Sequence, residues 1–274
     1  MKLLRHQILA VVAVFALLVG CSGGKSESDA ITLRVMTYNI HHGEGVDGKV
    51  DIERIAKLIR DAKADIVALQ EVDRGVERTK KIDIMTMLAD MTGLTYAFGK
   101  NIDYQGGDYG NGILTRFPII EERNLHYKMI REGEQRGLLQ LVLDVRGQEI
   151  VVMNTHIDYR QDDSERVLNV GELREAAKRY GPRTVIVCGD FNDLPASRTI
   201  SLMREAFVDT WEAVGQGEGF TYPTATPEKR IDYIFVSKPT SSGSSVVRPV
   251  SAQVLRSEAS DHLPVLVEFR ISTN

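Results

Sequence analysis

Five times along this chain a run suited to β-structure gives way to acid, amide or imidazole side chains. The segments are Tyr38-Asn39-Ile40, Gln70-Glu71-Val72, Asn154-Thr155-His156, Gly189-Asp190-Phe191-Asn192-Asp193 and Ser260-Asp261-His262. A single ending of this kind is ordinarily a turn former or a helix cap, because short polar side chains bond readily to nearby backbone. Five in one chain constrain the fold: if each ends a strand, the polar groups gather at one end of the sheets.

The segments between them say what kind of sheet this is. Ile31 to Ile40 is dense in β-branched residues, and the pattern then changes to helical spacing, with Asp51 as N-cap and Ile52, Ile55 and Ile59 on one face. Ile66 to Leu69 reads as a strand, Ile82 to Met91 as a helix and Gly112 to Thr115 as a strand. Leu138 to Val145 and Glu149 to Asn154 follow each other directly as strands. Ser164 to Tyr180 carries Val167, Val170, Leu173 and Ala177 at helical spacing, and further strands are expected at Thr184 to Cys188, Ile231 to Val236 and Val265 to Ile271. Strand-helix-strand crossings mixed with direct strand-to-strand links imply an α/β fold of mixed sheets with helices on their outer faces. Gly106-Gly107, Gly215 to Gly219 and Pro239 to Ser245 read as surface loops, and none marks a domain boundary.

The first residues form an address. Lys2 and Arg5 precede an apolar run from Ile8 to Val19 that stops at Gly20-Cys21, followed by a polar Ser/Gly/Lys stretch. That run is too short to span a bilayer, which takes roughly 20 residues of helix. Leu18-Val19-Gly20-Cys21 resembles a bacterial lipobox, whose cysteine is acylated. The expected plan is therefore a signal peptide over 1–21 with Cys21 as lipid anchor, a tether over 22–30 and one domain over 31–274. It implies an extracytoplasmic, membrane-anchored protein, periplasmic or at the cell surface. Cys188, within Val185-Ile186-Val187-Cys188, packs as a small hydrophobe.

Charge bears on partners. Loss of Lys2 and Arg5 with the leader takes the formal charge from −4 to −6, and there is no basic block or Arg-rich arm. Such a field gives little help to nucleic-acid binding, which draws most of its non-specific affinity from Lys and Arg on phosphates, so nucleic acid is a possible but not a favoured partner. The oxygen-bearing side chains at the strand ends suit Mg²⁺ or Mn²⁺. No His-x-x-x-His or Cys-x-x-Cys spacing points to zinc, which ranks below Mg²⁺ or Mn²⁺, although the adjacent pair His41-His42 is the place that would recruit a softer metal.

Taken in order, these segments are similar to the endonuclease/exonuclease/phosphatase superfamily of phosphoesterases. The resemblance runs from Thr37-Tyr38-Asn39 to Ser260-Asp261-His262-Leu263-Pro264 and includes Gly110-Asn111-Gly112-Ile113-Leu114-Thr115-Arg116-Phe117-Pro118-Ile119. It implies a four-layer α/β/β/α sandwich of two mixed sheets and Mg²⁺- or Mn²⁺-dependent hydrolysis of a phosphomonoester or phosphodiester. It further implies that Asn39, Glu71 and Asp261 hold the cation, and that Asp190 with Asn192 handles the attacking water. Asp232 orients His262 toward the phosphate, and His156 donates to a non-bridging oxygen. Many nuclease members carry a carboxylate two positions after the strand-end asparagine, where this chain has His41. The Asn-Ile-His-His-Gly version is more similar to a bacterial branch that resembles the domain associated with lipid remodelling of GPI anchors.

The setting favours a small or lipid-linked substrate. Two rivals are an extracellular nuclease and a binding lipoprotein that kept the fold without catalysis. Elsewhere Arg116 reads as a structural ion-pair partner, and Trp211 and Tyr222 as aromatics at the edge of the core. Arg136 and Asp158 are each open between a structural and a functional role.

Overall fold

The apolar alternation seen in the sequence is spent on two sheets and not one. A computed structural model describes residues 31–238 and 245–273; the leader, Cys21, the tether and most of the Pro239 to Ser245 loop lie outside the described residues. Twelve strands run in chain order: β1 (Ile31–Asn39), β2 (Ile66–Arg74), β3 (Thr95–Tyr104), β4 (Gly107–Thr115), β5 (Ile119–His126), β6 (Gly137–Val145), β7 (Gln148–His156), β8 (Thr184–Asp190), β9 (Phe207–Asp209), β10 (Asp232–Ser237), β11 (Ser245–Val254) and β12 (Val265–Thr273). Five helices accompany them: α1 (Ile52–Ala62), α2 (Ile84–Thr92), α3 (Ser164–Lys178), α4 (Arg198–Ala206) and α5 (Thr210–Val214). One sheet has the order β11-β12-β1-β2-β4-β3 and the other β5-β6-β7-β8-β10-β9.

Because successive side chains point to opposite faces, each central strand feeds two cores. Leu33 and Val35 of β1, Ile66 and Ala68 of β2, Ile150 and Val152 of β7, and Ile186 and Cys188 of β8 meet in the core between the sheets. Their neighbours Met36 and Tyr38 pack outward with Ile52, Ile55 and Ile59 of α1 and with Met85 and Leu88 of α2. Val151, Met153, Val185 and Val187 likewise pack against Val170 and Leu173 of α3 and Ile200 and Met203 of α4. Each fully buried Ile, Val or Leu contributes roughly 1.5–3 kcal/mol relative to exposure. The result is the α/β/β/α sandwich expected from the sequence. Asp51 caps α1 as expected, accepting from the Arg54 amide at 3.3 Å. Among the described residues no helix is long and apolar enough to cross a membrane.

The same parity positions the polar residues. Counting on from the inward-facing Val35, Val152 and Cys188 in steps of two reaches Asn39, Asn154, His156 and Asp190, and Asp232 falls in step with the inward Ile234. Parallel pairing of β7 with β8 sets His156 beside Asp190, and antiparallel pairing of β10 with β8 sets Asp232 on its other side. A one-residue slip of any of these strands would turn its polar end residue to the opposite face. Below these ends, a buried amide network ties the two sheets together. Gln70 Nε2 donates to Asn154 Oδ1 at 2.7 Å, and Asn154 Nδ2 donates to the carbonyls of Leu69 and Gly112, both at 2.8 Å.

Two placements differ from the strand-end reading. Glu71 lies within β2, which continues to Arg74 through an irregularity between Leu69 and Val72 in its pairing with β4. Ser260, Asp261 and His262 lie in the segment that leads into β12, not at the end of a strand.

Candidate active site

Asn39 is the hub of the site. Its Nδ2 donates to Glu71 Oε1 and to Asp190 Oδ2, both at 3.0 Å, while its Oδ1 accepts from the His41 amide at 3.1 Å. One amide thus joins a carboxylate of its own sheet to a carboxylate of the opposite one. The segment before β12 is latched to the same place, since Ser260 Oγ donates to the Asn39 carbonyl at 2.7 Å and accepts from the His262 amide at 3.2 Å.

Asp190 is 1% exposed and central to the other half. Its Oδ1 accepts from the Asn192 amide at 2.9 Å, while its Oδ2 lies 3.5 Å from His156 Nε2 and 3.7 Å from His262 Nε2. Asn192 Nδ2 is 3.0 Å from His156 Nε2 and donates to the Ile157 carbonyl at 3.1 Å. On the far side of the His262 ring, Nδ1 is 2.9 Å from Asp232 Oδ2. Gly189 allows this arrangement, because a Cβ there would come within 2.2 Å of the Thr155 carbonyl on β7.

Burial and charge set the protonation states. Burial alone would lower the His262 imidazole, but the Asp232 and Asp190 carboxylates outweigh it and push it up to about 10. Burial raises the Asp190 carboxyl, the neighbouring Asp232 charge raises it further, and it stands at about 7 against the opposing pull of His262. His156 is driven well below 6.5 by burial first and then by the charges of Arg136 and His262, so it is neutral. His42 is lowered by burial and next by Arg78.

The backbone is strained here. His41, His42, Glu71 and Asn192 all have left-handed φ, between 43° and 58°. Such conformations cost non-glycine residues of order 1–3 kcal/mol each and persist where the surroundings over-determine them. The other non-glycine residues of this kind among the described residues, such as Lys63 after α1 and Arg146 between β6 and β7, sit at helix ends or turns.

These groups open into a cleft of about 500 Å³ lined also by Arg136, Tyr159, Tyr222, Lys229 and Asp261. A larger hollow of about 740 Å³, between Trp211 and β11, holds none of the catalytic candidates. Asp261 faces the cleft with its Oδ1 4.0 Å from His41 Nδ1 and its side chain 42% exposed. Tyr222, which the sequence places at the edge of the core, lies instead over the His262 ring, with centroids 4.8 Å apart. Arg136 is buried at the cleft wall with Nη1 2.8 Å from Glu134 Oε1. Arg116 is the expected structural partner, 2.9 Å from Asp65, and Asp158 accepts from the Arg160 amide as a loop cap. Tyr222, Lys229 and Glu134 have no sequence signal as site residues. For Arg136 the cue is its place at the start of a strand, which leaves its role open.

All eight residues expected from the sequence come together here: Glu71, His156, Asp190, Asn192, Asp261 and His262 line the cleft, Asn39 is bonded to Glu71 and Asp190, and Asp232 stands against His262. Asp190, Asp232 and His262 form one group whose ligand atoms lie within 4.8 Å of one another, and His41, His42 and Glu71 form another. Four carboxylates, Glu71, Glu134, Asp190 and Asp261, line the cleft, with Asp232 behind His262, against the cations of Arg136, Lys229 and His262. An anionic ester entering such a cleft needs a further positive charge. The oxygen donors of Asn39, Glu71 and Asp261 therefore fit a hard divalent cation.

A family model described as Endonuclease/Exonuclease/phosphatase family matches residues 36–262, which span every one of these groups. The chain belongs to this family. Endonuclease/exonuclease/phosphatase proteins are hydrolytic phosphoesterases and nucleases that generally use divalent metals. The uncharacterized protein YbhP of Escherichia coli K12 is 28% identical over 257 residues, covering 89% of this chain and 99% of its own. A family protein from Bacteroides thetaiotaomicron of known structure superposes with TM-score 0.72 at 22% identity, covering 88% of this chain and 98% of that one. The mannosyl-6-phosphatase Bt3783 of the same organism gives TM-score 0.71 at 21% identity over 86% of this chain and 99% of its own.

Proposed function

We propose that this protein is a divalent-metal-dependent phosphoesterase that hydrolyses a small or lipid-linked phosphate ester outside the cytoplasm. The observation that carries the reading is the line Asp232, His262, Asp190, with hydrogen-bonding or ion-pair distances of 2.9 and 3.7 Å, whose last two members line a cleft together with Glu71, while Asn39 bonds to both Glu71 and Asp190. Asn39, Glu71 and Asp261 are the residues that would hold Mg²⁺ or Mn²⁺. When bound, that ion supplies Lewis-acid neutralisation of charge on the phosphate oxygens.

The chain's own groups do the rest. Asp190, raised to about 7 and steered by the Asn39 side chain and the Asn192 amide, accepts the proton of the attacking water. Asn192 positions that water against the phosphate. His262 remains protonated at neutral pH and directs positive charge to oxygens on which negative charge builds during in-line attack, while Asp232 fixes its ring. Neutral His156 is assigned to a non-bridging oxygen: its Nε2, which faces Asn192 Nδ2 and Asp190, is the donor in the tautomer that carries the proton there. Arg136 offers a second cation on the opposite wall, and Tyr222 covers the His262 ring and narrows the mouth. The volume of about 500 Å³ suits a compact headgroup and is within the usual range for small-ligand sites. The lipobox-like Leu18 to Cys21 and the net negative charge support the extracytoplasmic setting and the preference for small esters over nucleic acid.

The test offers the full chain, with Mg²⁺ or Mn²⁺, a panel of aryl phosphates, sugar and inositol phosphates, phospholipids and nucleic acids. Expected is chelator-sensitive turnover of a small or lipid headgroup ester, lost in Glu71→Gln. Faster turnover of nucleic acid than of any small ester would replace the reading with a nuclease. Inertness of a folded, metal-supplied protein toward every ester would leave a binding protein.

A further inference from the structure

We propose that His41 and His42, with Glu71, form a second ion position that selects a borderline transition ion of the zinc or cobalt class, next to the oxygen-lined position of Asn39 and Glu71. One ring nitrogen from each histidine and a Glu71 carboxylate oxygen all lie within 4.8 Å of one another. An ion bonded at roughly 2.1 Å to two ligands holds them no more than about 4.2 Å apart, so side-chain rotations on the order of an ångström close this set around one centre.

The donor chemistry separates the two positions. Imidazole nitrogen suits zinc, cobalt and nickel, whereas Mg²⁺ takes oxygen and gives up its waters reluctantly. Each ring also has a carboxylate facing one nitrogen, as metal-bound imidazoles nearly always do. His42 Nε2 is 3.6 Å from Glu44 Oε2, and His41 Nδ1 is 4.0 Å from Asp261 Oδ1. The opposite nitrogen of His42, Nδ1, is buried and has no hydrogen-bond partner among the described residues. His42 is itself 7% exposed, so that nitrogen is an open lone pair or an unmet N–H inside the protein.

The inference rests on Glu71 as a metal ligand but is read through ion binding, so it stands or falls separately from turnover of any ester. The chelator-stripped full chain is titrated with Zn²⁺ against a chromophoric chelator, with Co²⁺ by visible absorption, and with Mg²⁺ by calorimetry. His41→Gln and His42→Gln should each weaken Zn²⁺ binding by at least about tenfold and abolish the Co²⁺ ligand-field bands attributable to nitrogen ligation. Mg²⁺ affinity should move by less than about threefold. His42 is buried, so its variant is checked by circular dichroism; should it misfold, His41→Gln, at a partly exposed side chain, decides alone. Unchanged Zn²⁺ affinity in folded His41→Gln overturns the proposal, as does an equal loss of Zn²⁺ and Mg²⁺.

Discussion

Asp190 works from a place where two carboxylates and an imidazole compete for protons. The base role proposed for it requires the ionised form, and His262 supplies the nearby positive charge that makes this form accessible despite burial. Asp190→Asn and His262→Ala are expected to fold normally and to lower single-turnover rates by at least roughly 10²-fold, the usual scale for a positioned acid, base or electrostatic group. Near-parental rates in folded, metal-supplied variants would falsify those roles. The Asp232 contribution can be read directly. His262 is raised from its ordinary 6.5 to about 10, so its charged form stabilises the fold fully below 6.5, and that contribution is lost as pH rises through about 10. Without the Asp232 charge and hydrogen bond, the burial that lowers the ring is opposed only by Asp190 and, more weakly, Asp261. Ring-proton NMR of chelator-treated Asp232→Asn should therefore show the midpoint falling from about 10 toward 6.5, with a matching loss of stability between those values. A midpoint that stays near 10 removes Asp232 as the orienting partner. At this scale the sequence was most informative where chemistry demands a residue type at a strand end, as with Asn39 and Asp190. It was silent on Tyr222 and Lys229, whose presence depends on the path of the loop before β10.

Elements show a different division. The strands missing from the sequence reading are β3, β5, β9 and β11, and these are the four sheet edges. The reason is physical: edge strands are protected from pairing with other chains by charge, proline or brevity, which erases the apolar alternation used to find them. Strand β5 exposes Glu121, Glu122 and Arg123, β11 carries Pro249 at its irregularity, and β9 has three residues. Helices α4 and α5 were also missed, both short. Central strands were legible because burial on both faces leaves an unbroken apolar run. The join between sheets was not legible, although the Gln70 and Asn154 amides hold it. Asn154→Ala would take the side-chain donor from the buried Leu69 and Gly112 carbonyls and one acceptor from the Gln70 amide, which keeps Thr37 Oγ1 and the Ala68 carbonyl. Chemical denaturation should report a loss of about 2–4 kcal/mol, from roughly 1–3 kcal/mol per stranded group with partial relaxation. A loss below about 0.5 kcal/mol would mean that water replaces the amide without penalty.

At the scale of the whole molecule the site belongs to neither sheet. Asn39 and Glu71 come from one, and His156, Asp190 and Asp232 from the other, so the catalytic geometry exists only while the sheets are docked. Mild acid or denaturant that loosens the inter-sheet core should abolish turnover while far-UV circular dichroism is still near native, as in compact states that keep secondary structure but lose packing. Simultaneous loss of both signals would show that docking and strand formation are one cooperative event. For the membrane expectation, Cys21→Ser should release the protein from the membrane fraction. Unchanged partitioning, with no lipid on the parent by intact mass, would remove it.

Strand β1 carries a consequence for reach. It enters the described fold at Ile31 and delivers Asn39 to the site eight residues later, a path on the order of 26 Å at roughly 3.3 Å per residue. Ile31 therefore stands at the pole opposite the cleft. In a chain acylated at Cys21, residues 22–30 extend at most about 30 Å, so an upright domain turns its mouth away from the leaflet that anchors it. Dissolved esters then have free approach, whereas a headgroup in the same leaflet is met only when the domain tips over on its leash. Doubling the stretch between Cys21 and Ile31 should leave hydrolysis of a soluble ester unchanged and accelerate hydrolysis of the same headgroup embedded in the anchoring vesicle; equal rates for both lengths on the vesicle would show that the domain already lies on its side.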